Sequence, residues 1–241
     1  MGLNLTSDKK CSFDCAYCQV DRSEPGIPNP PLAELLAELE AFLAAYTEAG
    51  QYEGMELKDL GLAGDGEPSL YPQLPALLTG IQELKEKYQI TAPTVLFTNG
   101  SRIDRADLRE IWTPYFAAGN QVWFKLDFWD QASFERSNGA SGLKERVLEK
   151  LLRLGSQHPV TLQACFFKEA DPAVLNPDFV QAWAEQLLKL LEQGLQVEKI
   201  QVYSLAREPK EKQLAPYTEA EMLEIGRLLQ ERIKLDLELY F

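Results

Sequence analysis

Two periods of apolar residues take turns along the 241 residues. Short runs with the character of strands recur at Lys58–Ala63, Thr94–Thr98, Gln121–Phe128, Val160–Phe167 and Val197–Ala206, behind an apolar lead at Gly2–Leu5. Between them lie amphipathic stretches whose apolar residues recur at helical spacing. These predict helices over Leu32–Tyr46, Gln73–Lys87, Asp104 to about Phe116, Gly142–Leu154, a long helix capped by Asn176-Pro177 and reaching about Gln193, and Thr218 to about Ile233. Local chemistry agrees. Pro30 and Pro31 precede the first helix, where proline is tolerated, Asp104 reads as an N-cap, and Thr218-Glu219-Ala220-Glu221 reads as a capping box. Regular alternation of strand and helix predicts a parallel sheet of β-α units. No repeat, linker or low-complexity stretch interrupts it, so one domain over residues 1–241 is expected.

The strands carry a second message. In Gln121–Phe128, Val122, Phe124, Leu126 and Phe128 share one face, and Trp123, Lys125 and Asp127 the other. Likewise Leu162, Ala164 and Phe166 oppose Thr161, Gln163 and Cys165, while Ile200 and Val202 oppose Gln201 and Tyr203. A parallel sheet covered by helices on both faces reads as continuously apolar. One polar face in strand after strand predicts instead an open, partial (β/α) barrel whose inner face lines a cavity.

Charge narrows the partners. There are 37 Asp and Glu against 24 Lys and Arg, a net −13. Nucleic-acid binding rests on cations neutralising phosphates, and an acidic field repels them. The densest basic stretch, Arg207–Lys212, interleaves acids. A small molecule or peptide is therefore expected as substrate in preference to nucleic acid. Four cysteines, three of them clustered, argue for a reducing compartment and a metal, not a disulfide framework. With no signal-like segment and no run of ~18 apolar residues, the expectation is a cytoplasmic protein without a membrane partner.

The clustered thiols are Cys11, Cys15 and Cys18, in the run Cys-Ser-Phe-Asp-Cys-Ala-Tyr-Cys. A closed structural zinc site uses four ligands, as do most electron-transfer iron–sulfur clusters. Three thiolates imply a four-iron cluster with one open iron; a zinc knuckle or a chance group of buried thiols is the plain alternative. A second motif, Gly64-Asp65-Gly66-Glu67-Pro68, follows the apolar run Leu60–Ala63, and glycines at a strand end allow close backbone approach to a ligand. A simple turn would also explain it.

Together these motifs resemble the radical S-adenosylmethionine superfamily, whose signature is CxxxCxxC with an aromatic residue, here Tyr17, before the last cysteine. The resemblance implies a six-unit partial barrel, a [4Fe-4S] cluster on Cys11, Cys15 and Cys18, and S-adenosylmethionine chelated by the open iron. It implies that Gly64, Gly66, Glu67 and Pro68 hold the cofactor's amino group. It also implies hydrogen abstraction from a substrate and an external electron donor of flavodoxin or ferredoxin type. The inner face then supplies further candidates. Lys125 and Asp127 lie near a strand's C-terminal end, where barrel sites collect; they contact cofactor or substrate, or form an ion pair. Asn99 stands at the same rim or simply forms an Asn-Gly turn. Gln163 suits adenine or ribose. Tyr203 and Arg207 close the last strand, and Arg207 either clamps an anion or pairs with Glu208. Cys165 reads as a small buried hydrophobe. His158, the single histidine, sits in a loop and gives no support to histidine acid–base chemistry.

Within the superfamily the longer match is to the wyosine-synthase-like Fe–S oxidoreductases. It rests on the cysteine run, Gly-Asp-Gly-Glu-Pro-Ser-Leu-Tyr-Pro, Phe-Thr-Asn-Gly-Ser, Lys-Leu-Asp and Val-Tyr-Ser-Leu-Ala-Arg, from residue 4 to about 207. That similarity implies a transfer-RNA-modifying activity as one alternative. A glycyl-radical activase and a non-enzymatic iron–sulfur redox or sensor module are the others.

Overall fold

A computed structural model of the chain describes residues 1–48, 52–169 and 177–241. It is an α/β fold of seven strands ordered β1 to β7 along one sheet. The strands are β1 (Gly2–Asn4), β2 (Leu60–Ala63), β3 (Thr94–Thr98), β4 (Gln121–Lys125), β5 (Val160–Cys165), β6 (Val197–Tyr203) and β7 (Leu237–Tyr240). The helices are α1 (Leu32–Thr47), α2 (Leu74–Lys87), α3 (Ala106–Ala117), α4 (Gln131–Asn138), α5 (Lys144–Gly155), α6 (Pro177–Glu192) and α7 (Glu219–Arg232). The proposed Asn176 cap lies outside the described residues. Contacts divide the chain into two compact units. Met1–Cys11, Arg22–Thr98 and Arg102–Val122 form the first, and Ser12–Asp21, Asn99–Ser101 and Trp123–Phe241 the second.

In the first unit β1 pairs with β2 and β2 with β3, all parallel. Leu60, Leu62, Val95 and Leu96 bury their side chains with Leu39 and Leu43 of α1 and Leu74, Leu77 and Ile81 of α2. Asn120 fastens the unit's polar interior. Its side-chain oxygen accepts from the Thr94 amide at 2.8 Å and from Lys85 Nζ at 2.7 Å. Lys85 is only 3% exposed, and burial pulls its pKa down. Asp104 does not cap α3; the capping position is Arg105, whose guanidinium instead donates to the carbonyls of Ser69, Tyr71 and Pro72.

The second unit pairs β4 through β7, again in parallel. The alternation expected for β4 holds, with Val122 and Phe124 buried and Trp123 and Lys125 half-exposed. That strand ends at Lys125, so Asp127 stands in the loop above it. The apolar side of β4 and β5 meets α6, where fully buried Trp183 donates its indole N–H to the Leu126 carbonyl at 2.8 Å. The Thr218–Glu221 capping box forms as expected. Two elements go beyond the expected pattern. One is α4, opened by a reciprocal Asp130–Ser133 capping box and closed by Gly139 at φ 60°; the other is the edge strand β7.

Trp183→Phe keeps most of the apolar volume but removes the donor to Leu126. It should cost about 1–3 kcal/mol, read as a lower urea midpoint at unchanged slope.

Candidate functional site

Residues 5–31 form no helix or strand, so the cysteine loop depends on bonds from elsewhere for its shape. Cys11, Cys15 and Cys18 are each half-buried.

Within the first unit, the Gly64–Pro68 loop grips the chain just ahead of Cys11. The Glu67 amide donates to the Lys10 carbonyl at 2.9 Å, and the Gly66 amide to Thr6 Oγ1 at 2.9 Å. A Cβ on Gly66 would stand 1.9 Å from the Lys10 carbonyl oxygen, and one on Gly64 2.2 Å from Thr6 Oγ1. These glycines are there because two backbones touch. Pro68 opens a single turn of 3-10 helix, Pro68–Leu70. Glu67 is 3% exposed, and its Oε1 accepts from the Ser69 amide at 3.0 Å and from the Thr98 hydroxyl. Through that oxygen the carboxylate fixes the loop from inside.

Within the second unit, α4 and the segment after β6 hold the rest of the cysteine loop. The amides of Asp14 and Ala16 donate to the carbonyls of Asn138 and Ser137 at 2.9 and 3.0 Å. Those of Lys210 and Glu211 donate to the carbonyls of Cys18 and Ala16 at 2.7 and 3.2 Å. Phe13 sets its ring edge-on to Phe134 at 5.4 Å. A Cβ at Gly139 would lie 2.4 Å from the Asp14 carbonyl oxygen, so the helix stop doubles as a docking point for the loop. Asn138, 1% exposed, donates Nδ2 to Cys15 Sγ at 3.5 Å, and its buried Oδ1 has no partner. Sequence reasoning missed Asn138, although the Asn138-Gly139 pair is a helix-stop signal. Asn99, 5% exposed, accepts from the Ser101 amide at 2.9 Å and donates to Ser12 Oγ at 3.1 Å. Its turn and its link to the cysteine loop are one construction.

Four of the candidate side chains converge beside Cys165. The Tyr17 hydroxyl donates to Asp127 Oδ2, and the Cys165 amide donates to Asp127 Oδ1 at 2.7 Å. Asp127 is 1% exposed. Lys125 forms no ion pair with it; Lys125 Nζ donates to the Tyr203 hydroxyl and lies 5.0 Å from the Tyr203 ring centre and 5.6 Å from that of Tyr17. Burial works against the Lys125 charge, but the Tyr203 and Asp127 oxygens outweigh it and raise its pKa. Lys125 is therefore a fixed cation, not a base. Burial also lifts the pKa values of Tyr17, Tyr203 and Cys165, and pushes the Cys15 thiol up to about 12, with Asp127 adding to the shift. Only a bound cation would hold Cys15 as a thiolate there.

Other candidates have different fates. Gln163 donates to Gln201 at 3.1 Å, and Gln201 to Glu238 at 2.9 Å, a polar row across β5, β6 and β7. Arg207 is exposed after β6, and Glu208 pairs with Lys212 at 3.5 Å, so the alternative of an Arg207–Glu208 pair does not form. His158 is half-buried, which lowers its pKa.

Among the described residues no three His, Cys, Asp or Glu side chains stand together as a site for a single metal ion. A four-iron cube does not need that, because each thiolate binds its own iron. The donor set fits such a cluster. Three thiols share one loop, an amide N–H points at one sulfur, the kind of bond that tunes cluster potential, and a buried amide oxygen is unpartnered next to it.

No protein-family model matches the chain. A UPF0026 protein of Helicobacter pylori is 23% identical over 191 residues, covering 78% of this chain and 58% of its own. One from Methanocaldococcus jannaschii is 28% identical over 154 residues, covering 63% and 43%. The chain thus spans about half the length of these curated relatives. Among solved structures, Streptococcus suis SuiB bound to S-adenosylmethionine matches with TM-score 0.70 at 14% identity, over 100% of this chain and 50% of SuiB. A radical SAM methyltransferase from Sphaerobacter thermophilus gives 0.67 at 14%, over 99% and 65%. TYW1 with a lysine-pyruvate adduct gives 0.60 at 18%, over 92% and 70%. The fold is that of the radical SAM partial barrels, and TYW1 is one of several neighbours.

Gly66→Ala should push the loop off Lys10. The contact cannot be relieved by a side chain, so a loss of about 1–3 kcal/mol or more is expected. Thermal unfolding measures it, and a Gly2→Ala control, where a Cβ meets nothing within 4 Å, should be near neutral.

Proposed function

We propose that the protein is a radical SAM enzyme: Cys11, Cys15 and Cys18 hold a [4Fe-4S] cluster, S-adenosylmethionine is its cofactor, and hydrogen is abstracted from a small molecule or a peptide. The observation that carries the reading is three cysteines at CxxxCxxC spacing, with the Asn138 amide on one of them, in a chain with the fold of radical SAM enzymes. When bound, the cluster supplies the electron that cleaves S-adenosylmethionine reductively. The chain's own residues supply position and charge. Gly64 and Gly66 let a backbone loop lie against the cysteine segment, with Glu67 and Thr98 holding that loop rigid. Asn138 donates to the Cys15 sulfur and offers its free oxygen to a ligand. Lys125, kept protonated and aimed by Tyr203, suits a carboxylate of the cofactor or substrate. Tyr17 is held against Asp127 and so presents a fixed ring face beside Cys18.

Protein reconstituted anaerobically with iron and sulfide should bind about four irons, and release 5′-deoxyadenosine and methionine under reductant. Any one Cys→Ala at 11, 15 or 18 should abolish both. Stoichiometric zinc with no iron would instead establish the zinc-knuckle alternative.

The resemblance of the motifs to the wyosine-synthase-like group favours a transfer-RNA substrate as the second reading. The net charge of −13 opposes it. Filter binding to bulk transfer RNA should give no micromolar affinity at moderate salt; tight binding that weakens steeply with salt would reverse the order of the two readings.

A further inference from the structure

At the C-terminal ends of β4 and β5 the second unit holds a cavity of about 360 Å3 that the cofactor chemistry above does not use. Its size lies in the range of small-ligand sites. Its wall is aromatic: Phe179 lies 5.1 Å from Phe166, 5.7 Å from Trp129 and 6.0 Å from Tyr217, with Phe167 also on the lining. Such a wall favours a flat ring over an aliphatic group, because ring pairs attract beyond simple burial.

Its charges are as one-sided as its rings. Among the described residues, Asp127, Asp130 and Glu169 line it against one cation, Arg136. That guanidinium already has two carboxylate partners, Glu169 and, at 3.1 Å, Glu211, and it lies 5.9 Å from the Phe167 ring centre. A carboxylate or phosphate entering here finds the guanidinium already taken, whereas an ammonium meets acidic groups and ring faces.

The cavity is also fastened to the cysteine loop. Ser137, on its lining, accepts from the Ala16 amide at 3.0 Å, and Asp127, on the same lining, accepts from Tyr17. We infer that this cavity takes a planar aromatic group of about indole size, neutral or cationic, and that this ring belongs to the substrate. The second half rests on the radical SAM reading proposed above.

Calorimetric titration with indole, tryptamine and indole-3-acetate separates ring from charge. Indole and tryptamine should bind, tryptamine at least as tightly. Indole-3-acetate should bind at least about tenfold more weakly, a difference of about 1.4 kcal/mol. Glu169→Gln should narrow the preference for tryptamine. Ala132→Trp, an exposed lining position on α4, should block all three ligands while leaving thermal unfolding unchanged. No binding of indole, preferred binding of the acetate, or binding indifferent to Ala132→Trp would overturn the pocket assignment. In reconstituted wild-type protein, saturating tryptamine should change the rate of 5′-deoxyadenosine formation several-fold, and Ala132→Trp should not respond. An unchanged rate despite binding would overturn the substrate half. Failure of the radical SAM reading is distinct: no 5′-deoxyadenosine forms with or without ligand, whatever the calorimetry gives.

Discussion

A carboxylate with 1% of its surface exposed has to be met by donors, and Asp127 finds them in two places distant along the chain. One oxygen takes the Tyr17 hydroxyl from the cysteine loop, and the other takes the Cys165 amide at the end of β5. Because a buried acceptor stripped of a donor bears its full desolvation cost, these two bonds lock the loop and the strand end to the same point above β4. Lys125 then makes its hydrogen bond to Tyr203 and meets Asp127 only through space. Much of the second unit's inner face follows from that division.

How much of this was legible in the chain varied with the kind of signal. Five strand runs and most helices came through because each buries one periodic stripe, as in α5, where Val147, Leu148, Leu151 and Leu154 are all buried. The short strand β7 did not, since Leu237 and Leu239 alternate with Glu238 and Tyr240 over only four residues. Helix α4, Gln-Ala-Ser-Phe-Glu-Arg-Ser-Asn, has one large apolar residue in eight and no stripe to detect. Its capping box was the available clue, because Asp130 and Ser133 stand at the right interval.

The site shows the same division. Residue type and spacing picked out the cysteines, the Gly64–Pro68 loop, Asn99, Lys125 and Asp127. Partnership was not legible, because it depends on geometry that spacing does not encode. Lys125 and Asp127, two apart on one face, read equally well as an ion pair, yet their polar ends diverge toward Tyr203 and Tyr17. Glu67 matched a ligand-holding pattern, yet its Oε1 is taken up by Ser69 and Thr98. Gln163 is tied into a polar row with Gln201 and Glu238.

The cysteine loop takes much of its shape from partners far along the chain. Lys10 waits for the amide of Glu67, Asp14 and Ala16 for the end of α4, and Cys18 for the amide of Lys210. Contacts separated by such long stretches form late, since the loops they close must first lose their freedom. Until those contacts form, the three thiols lack the scaffold that sets their spacing. Any group that needs all three thiols in place therefore waits on the docking of α4 and of the segment after β6.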